Sequence, residues 1–294
     1  MIPVWQAHSG GARYPRRRGG SRGYGMLRRS PLRALPPLVL LAAFLAGCRG
    51  APKSGPEPVS GDVIVSAASS LTEAFTDIAR AFEAKYPGAK VRLNFASSAT
   101  LATQINEGAP ADVFAAADRA QIDAVTAEWK ASSGKVIALN RLVIAKPKGS
   151  TAVSTYADFA KPGLKLVLAA DGVPAGDYAA RSLDAADRAG VFGANFRARV
   201  MANVKSREPN VRAVLTKVQL GEADAAIVYS TDVGAAPEVE AVAIPDAYNV
   251  DAEYVIAPLR SGKNPSGGAL FVAFVLGAEG RALLEARGFT MPPR

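Results

Sequence analysis

The chain has 294 residues, of which 49% are hydrophobic and 21% are charged. This is the composition of a globular protein long enough for two domains of ordinary size, and it excludes disordered, collagen-like and coiled-coil chains. The formal net charge is +9, but residues 1–47 hold eight Arg and no Asp, Glu or Lys. Residues 48–294 carry 27 basic and 26 acidic side chains, so the charge gives no indication of nucleic-acid binding.

Much of the familiar catalytic chemistry is excluded, because the single His is His8 and the single Cys is Cys48. Residues 49–294 therefore lack Ser-His and Cys-His nucleophilic pairs, Cys/His zinc sites and disulfides. Asp112 and Asp118 could form a carboxylate pair, but no neighbouring residue supplies a nucleophile or a second acid. We interpret them as a strand-end residue and a helix cap, and we predict a protein without enzymatic activity or cofactor.

The N-terminal region has the layout of a signal peptide. Met26 offers a second start and is followed by three Arg and an apolar run over residues 38–45 that ends in Ala46-Gly47-Cys48. This run is too short to span a membrane as a helix, which takes about 20 residues. The string LAGC resembles the bacterial lipobox, which implies cleavage before Cys48 and lipid attachment to its sulfur. A plain secretory signal with an incidental Cys is the alternative.

From Asp62 onward, short β-branched segments alternate with segments of helical periodicity. Strands are predicted at 63–65, 91–95, 112–115, 136–139, 142–145, 166–169, 225–229, 239–244 and 254–257. Helices are predicted at about 71–82, 101–105, 177–188 and 211–220, with a C-terminal pair over 269–287 that is interrupted near Gly277. This alternation predicts an α/β fold with mixed, mainly parallel sheets.

Four of the predicted helices begin with small or hydroxyl residues. The segments are AASS at 67–70, ASSA at 96–99, GVPAG at 172–176 and PNV at 209–211. The first three follow strands directly, at the carboxyl ends where open α/β sheets bind ligands. Helix N-termini offer unpaired N–H groups and about half a positive charge, so several that converge would form an anion site without Lys or Arg. Taken singly, Ser70 and Ser98 are equally typical of helix N-caps, and Tyr229 of a half-buried strand residue.

A family resemblance rests on the strings SAASSLTEAF, NFASSATLATQINEGAPADVFAAAD, VPAGDYA, PNVRAVLTKVQLGEADAAIVY and RGFT. Together they resemble the molybdate-binding components of bacterial ABC uptake systems, in the periplasmic-binding-protein superfamily, over about residues 63–290. The resemblance implies a two-lobe type II fold that holds an oxyanion through Ser hydroxyls, backbone N–H groups and a Tyr hydroxyl. Carried over position by position, the ligand-binding set is Ser70, Ser98, Ala175, Val211 and Tyr229.

The resemblance also implies a ligand and a domain organisation. The ligand is molybdate or tungstate, so the only metal expected is the one inside the oxyanion. Another oxyanion such as sulfate is the alternative, while a carboxylate, a sugar and a transferase activity are disfavoured. The expected division is a leader and signal peptide over 1–47, a lipid-anchored tether over 48–61, lobe one over 62–140 plus 251–294, and lobe two over 141–250. We expect a monomer, anchored to the membrane outside the cytoplasm, that closes a hinge on its ligand and delivers it to a membrane permease.

Overall fold

The computed structural model describes residues 59–130 and 132–293. Cys48, the predicted signal peptide and all but the last three residues of the predicted tether lie outside the described residues. The strands are β1 (Gly61–Ala68), β2 (Ala89–Ala96), β3 (Val113–Ala116), β4 (Lys135–Pro147), β5 (Leu166–Ala169), β6 (Val204–Glu208), β7 (Ala225–Tyr229), β8 (Val239–Ala243) and β9 (Asp251–Pro258). The helices are α1 (Thr72–Lys85), α2 (Ser98–Asn106), α3 (Arg119–Ala124), α4 (Pro174–Ala189), α5 (Phe196–Asn203), α6 (Val211–Gln219), α7 (Ser230–Gly234), α8 (Pro265–Leu276) and α9 (Ala278–Ala286). Two short 3₁₀ helices are Ser69–Leu71 and Tyr156–Ala160.

The described strands form a mixed sheet of two halves in the order β2-β1-β3-β9-β4-β7-β5-β6, with β8 beside β4. Pairing is parallel within β1–β2, β1–β3, β5–β6 and β5–β7, and antiparallel wherever β4 or β9 takes part. The long strand β4 pairs with β9 up to Arg141 and with β7 from Leu142 onward. A single strand therefore passes from one half of the sheet to the other, which confirms the predicted two-lobe α/β class.

The observed elements differ from the predicted ones in a few places. The strands predicted at 136–139 and 142–145 are the two halves of β4, because the chain stays extended through Asn140 and Arg141. The prediction missed β6, whose sequence VKSRE is polar and only partly buried at alternate positions. It also missed the short helices α3, α5 and α7. The C-terminal pair is confirmed, since α8 and α9 are separated at Gly277.

Helices α1 and α8 pack together on the half of the sheet that contains β1. The apolar positions of α1 recur at helical spacing, and Phe75, Ile78 and Phe82 are fully buried. Phe82 packs against Phe271 and Phe274 of α8, with ring centroids 5.2 and 5.6 Å apart. Burying each of these rings contributes about 1.5–3 kcal/mol, so the C-terminal part of the chain is fixed onto β1 and α1. Among the described residues, no single helix is long and apolar enough to cross a membrane, and α8 and α9 reach that length only as a pair bent by 63°.

Candidate functional site

One small cavity is lined by all five residues of the predicted ligand-binding set. It is narrow and partly open, and residues from both halves of the sheet line it. Each of the five residues is at most 3% exposed. The other residues that line it are Ala68, Ser69, Ser97, Ala117, Val173 and Pro174. The five positions lie up to 159 residues apart in sequence, so the fold alone brings them together.

Three helices begin at the cavity. Ser98 is the first residue of α2, Ala175 the second residue of α4 and Val211 the first residue of α6. N–H groups at these positions have no acceptor within their own helix, and the helix dipole makes this end partially positive. In α2 and α6 the capping side chains bind the N–H group of the third helical residue instead: Ser97 accepts from Thr100, and Asn210 accepts from Ala213. The three helix starts are therefore free to bind an anion.

Glycine makes one of these helix starts possible. A Cβ atom on Gly176 would lie 2.3 Å from the carbonyl oxygen of Ala170 and 2.7 Å from that of Ala169. The first turn of α4 thus packs directly on the end of β5, at a distance that no side chain permits. This close approach holds Ala175 at the cavity.

The two serine hydroxyls at the cavity already accept hydrogen bonds from the protein. The Ser98 oxygen accepts from the N–H of Ala117 at 3.0 Å. The Ser70 oxygen accepts from the hydroxyl of Tyr254 at 2.8 Å. A hydroxyl that accepts a bond in this way still has its own proton to donate. Both serines can therefore donate into the cavity.

Tyr229 supplies the third hydroxyl of the cavity. Its side chain is 1% exposed, and among the described residues its hydroxyl is one of three buried side-chain atoms without a hydrogen-bond partner. Burial raises the pKa of Tyr229 well above its usual value, so the hydroxyl keeps its proton. An unpartnered buried hydroxyl costs about 1–3 kcal/mol, which a bound acceptor would remove.

Among the described residues that line this cavity, none carries a charged side chain. Charged residues directly follow two of the lining residues: Asp118 follows Ala117, and Arg212 belongs to an ion-pair network. Arg212 follows Val211 and pairs with Glu73 of α1, while its Nε lies 3.2 Å from the buried carboxylate of Asp232. The other oxygen of Asp232 accepts from the N–H of Tyr229 at 3.1 Å. Burial raises the pKa of Asp232 to about 6, against the opposing effect of Arg212.

Purely structural roles were considered above for four residues. The structure contradicts two of these roles and confirms the other two. Ser70 is not a helix N-cap, because residues Ser69–Leu71 form a 3₁₀ turn and α1 begins only at Thr72. Ser98 is not an N-cap either, since Ser97 takes that position in α2. Asp118 caps α3 by accepting from Gln121, as predicted. Asp112, before β3, accepts from the N–H groups of Ile64 and Asn264 at 2.7 Å each, which confirms its structural role.

Two residues that support the cavity were not predicted from the sequence. Tyr254 of β9 lies 184 positions from its partner Ser70. The other is Ala117, which donates to Ser98 through its backbone. No local pattern marks such residues, because their partners are distant in the chain.

The fold is the two-lobe type II class found in periplasmic binding proteins, with one small cavity lined by residues of both halves of the sheet. Periplasmic molybdate-binding protein from Azotobacter vinelandii superposes on this structure with a TM-score of 0.67, covering 79% of this chain and all of that chain at 18% identity. The sulfate-binding protein SubI from Mycobacterium tuberculosis superposes with a TM-score of 0.66 at 19% identity, over 78% of this chain and 86% of that one. At these identities the similarity shows the fold.

Sequence similarity identifies the family. The sequence profile of the bacterial extracellular solute-binding proteins matches residues 63–290, and the chain belongs to this family. The molybdate-binding protein ModA of Mycobacterium tuberculosis is 38% identical over 260 residues, which cover 86% of this chain and 95% of that protein. The protein of the same name from Escherichia coli is 31% identical over 242 residues, covering 79% of this chain and 90% of that protein. The relatives are thus solute-binding proteins, as the motifs indicated.

Proposed function

We propose that this protein captures molybdate, and also tungstate, in the cavity formed by Ser70, Ser98, Ala175, Val211 and Tyr229. One observation carries the proposal: the cavity brings together hydroxyl and N–H donors, and the buried hydroxyl of Tyr229 has no partner among the residues that the structure describes. Molybdate is a tetrahedral dianion whose four oxygens only accept hydrogen bonds. A site of donors therefore satisfies it without a charged partner.

The same donor set supports discrimination between oxyanions. Hydrogen phosphate carries a proton that needs an acceptor, and leaving it unsatisfied costs about 1–3 kcal/mol. Sulfate has no proton, but it is smaller than molybdate, so donors fixed on several helix starts do not all reach its oxygens. Tungstate is almost the same size as molybdate and carries the same charge. We therefore expect the preference molybdate and tungstate, then sulfate, then phosphate.

We assign residues 62–140 plus 251–294 to lobe one and residues 141–250 to lobe two. Two observations support this division: β4 changes pairing partners between Arg141 and Leu142, and β9 begins at Asp251. Ser70 and Ser98 then belong to lobe one, and the other three binding residues to lobe two. A ligand held by both lobes stabilises their closed arrangement, which a permease can distinguish from the open one.

The cellular role follows from the leader and the family. We propose that Cys48 is lipidated, that the protein acts as a monomer at the outer face of the membrane, and that it delivers its ligand to an ABC permease. The LAGC string and the Pro-rich segment after it support the anchor. Cys48→Ser should abolish labelling with radioactive palmitate. A label that persists on the variant would rule out this anchor and leave the binding function untouched.

Calorimetric titration of the purified protein with the four oxyanions tests the ligand assignment. We expect one binding site, with molybdate and tungstate bound far more tightly than sulfate and no measurable binding of phosphate. Elemental analysis of the protein as isolated should detect Mo or W. Phosphate binding as tight as that of molybdate would contradict the donor-only site, and a preference for sulfate would assign the protein to sulfate instead.

A further inference from the structure

Among the residues that the structure describes, two polar contacts away from β4 and β9 join the segments assigned to lobe one and lobe two. In the first, the guanidinium of Arg212 in α6 donates to the carboxylate of Glu73 in α1. In the second, the side-chain amide of Gln121 in α3 donates to the carbonyl oxygen of Gly172 at 3.2 Å. All four residues lie within four positions of residues that line the cavity, but none of them lines it. The two contacts therefore join the lobes beside the ligand site.

Arg212 is held in position by its own lobe. Its Nε lies 3.2 Å from one oxygen of Asp232, a carboxylate in α7 that is fully buried. The other oxygen of Asp232 accepts from the N–H of Tyr229 at 3.1 Å. A buried carboxylate without a cation is strongly destabilising, so Asp232 keeps Arg212 beside it whether the lobes are open or closed. The guanidinium is then already oriented when Glu73 approaches with lobe one, and little side-chain freedom is lost on pairing.

The two contacts between the lobes differ in strength. The side chains of Arg212 and Glu73 are 24% and 33% exposed, so their opposite charges are partly shielded from water. The contact between Gln121 and Gly172 is neutral and exposed, although the N–H of Gly172 donates to Asp177 at 2.9 Å and so fixes the loop. A charged, partly desolvated pair is worth more than a neutral exposed hydrogen bond. The pair of Arg212 and Glu73 is therefore the main contact of this kind.

We infer that Arg212, Glu73 and Asp232 form a latch between the lobes, which slows the release of the bound oxyanion and does not select which oxyanion binds. This inference rests on the proposed function, which supplies the two lobes and the ligand between them. The pair of Arg212 and Glu73 forms only when the lobes are closed, and the ligand leaves only after they separate. Breaking the latch therefore speeds dissociation. None of the three residues lines the cavity, so every oxyanion is affected by the same factor.

Glu73→Gln is the informative variant, because the latch and simple electrostatics predict opposite results. The substitution preserves the size of the side chain and leaves the contact between Arg212 and Asp232 intact. Removing a negative charge beside the site strengthens the attraction for a dianion, so electrostatics alone predicts slower dissociation. The latch predicts faster dissociation, by roughly two- to fivefold for a partly exposed pair, which corresponds to about 0.4–1 kcal/mol.

The matched control is Asp77→Asn. Asp77 lies one turn further along α1 and pairs with Arg287, which also belongs to lobe one. This variant removes the same charge from the same helix and leaves both contacts between the lobes intact. Its dissociation rate should not exceed that of the wild-type protein.

A chase with excess unlabelled ligand measures the dissociation of radioactive molybdate and of radioactive tungstate from the wild-type protein and the two variants. We expect Glu73→Gln to release both anions faster by the same factor, with a proportional rise of the calorimetric Kd. Gln121→Ala should speed release by less than Glu73→Gln does, because it removes the weaker contact.

Three results would overturn the inference. They are unchanged or slower release from a folded Glu73→Gln protein, equally faster release from Asp77→Asn, and faster release of one anion only. Each of these leaves molybdate binding by the wild-type protein standing. A wild-type protein that prefers another oxyanion such as sulfate would contradict the ligand assignment instead, and the same chase with that oxyanion would then test the latch.

Discussion

Tyr229→Phe should weaken ligand binding while leaving the ligand-free protein equally stable or more stable. The hydroxyl is buried, and in the described structure no protein group satisfies it. A hydrogen bond to a charged ligand contributes about 1.5–3 kcal/mol, so the affinity for molybdate should fall roughly 10- to 150-fold. Removing an unsatisfied hydroxyl relieves a cost of about 1–3 kcal/mol. The gain in stability is smaller than this where water binds the hydroxyl in an open, ligand-free form of the protein.

Calorimetry with molybdate and denaturant unfolding without ligand measure the two effects separately. The matched control is Tyr156→Phe, whose hydroxyl is buried but bound to Ser182 at 2.9 Å and does not line the cavity. That control should lose about 1 kcal/mol of unfolding free energy and keep its molybdate affinity. An unchanged affinity in Tyr229→Phe would refute the assignment of this hydroxyl to the ligand. Parallel losses of stability and affinity would show that the hydroxyl is structural.

Four further substitutions have expected outcomes. Ser98→Ala removes a donor to the ligand and leaves the N–H of Ala117 without its acceptor, so it should lower both the molybdate affinity, about tenfold, and the unfolding free energy, by about 1–3 kcal/mol. Gly176→Ala should displace the start of α4 from β5 and so lower both the molybdate affinity and the unfolding free energy, although alanine favours helices more than glycine does. Retention of wild-type affinity would contradict this packing. Arg212→Gln and Glu73→Gln should each weaken binding about two- to fivefold, with less than additive effects in the double variant, because this partly exposed pair links the two sides of the cavity.

The five residues that line the cavity could be predicted to lie together because each is found where a local pattern ends. Val211 follows a capping Asn at the start of an amphipathic helix, and Tyr229 closes the apolar strand AAIVY. Such junctions are encoded within about ten residues, and the order of strands and helices then places them at one edge of the sheet. The family resemblance selected the five positions from several comparable helix starts.

Local patterns failed where the deciding contact is distant in sequence. Ser70 precedes a Glu at capping-box spacing, yet the 3₁₀ turn moves the helix start to Thr72. The hydroxyl is bound instead by Tyr254, which the sequence places in an ordinary apolar strand. The polar strand β6 was missed for a similar reason, because its pairing with β5 supplies the stability that its own residues do not indicate.

A site without charged side chains selects its ligand differently from one built on Arg or Lys. A cation in the cavity would attract every dianion and would tolerate a misplaced proton, since its attraction does not depend on the direction of a single bond. Here the nearby cation Arg212 is neutralised by Glu73 and Asp232, and the described residues that line the cavity offer hydroxyl and N–H groups but no charged side chain. Affinity then depends on each ligand oxygen meeting a donor at the right distance, which makes the number of protons and the size of the anion decisive.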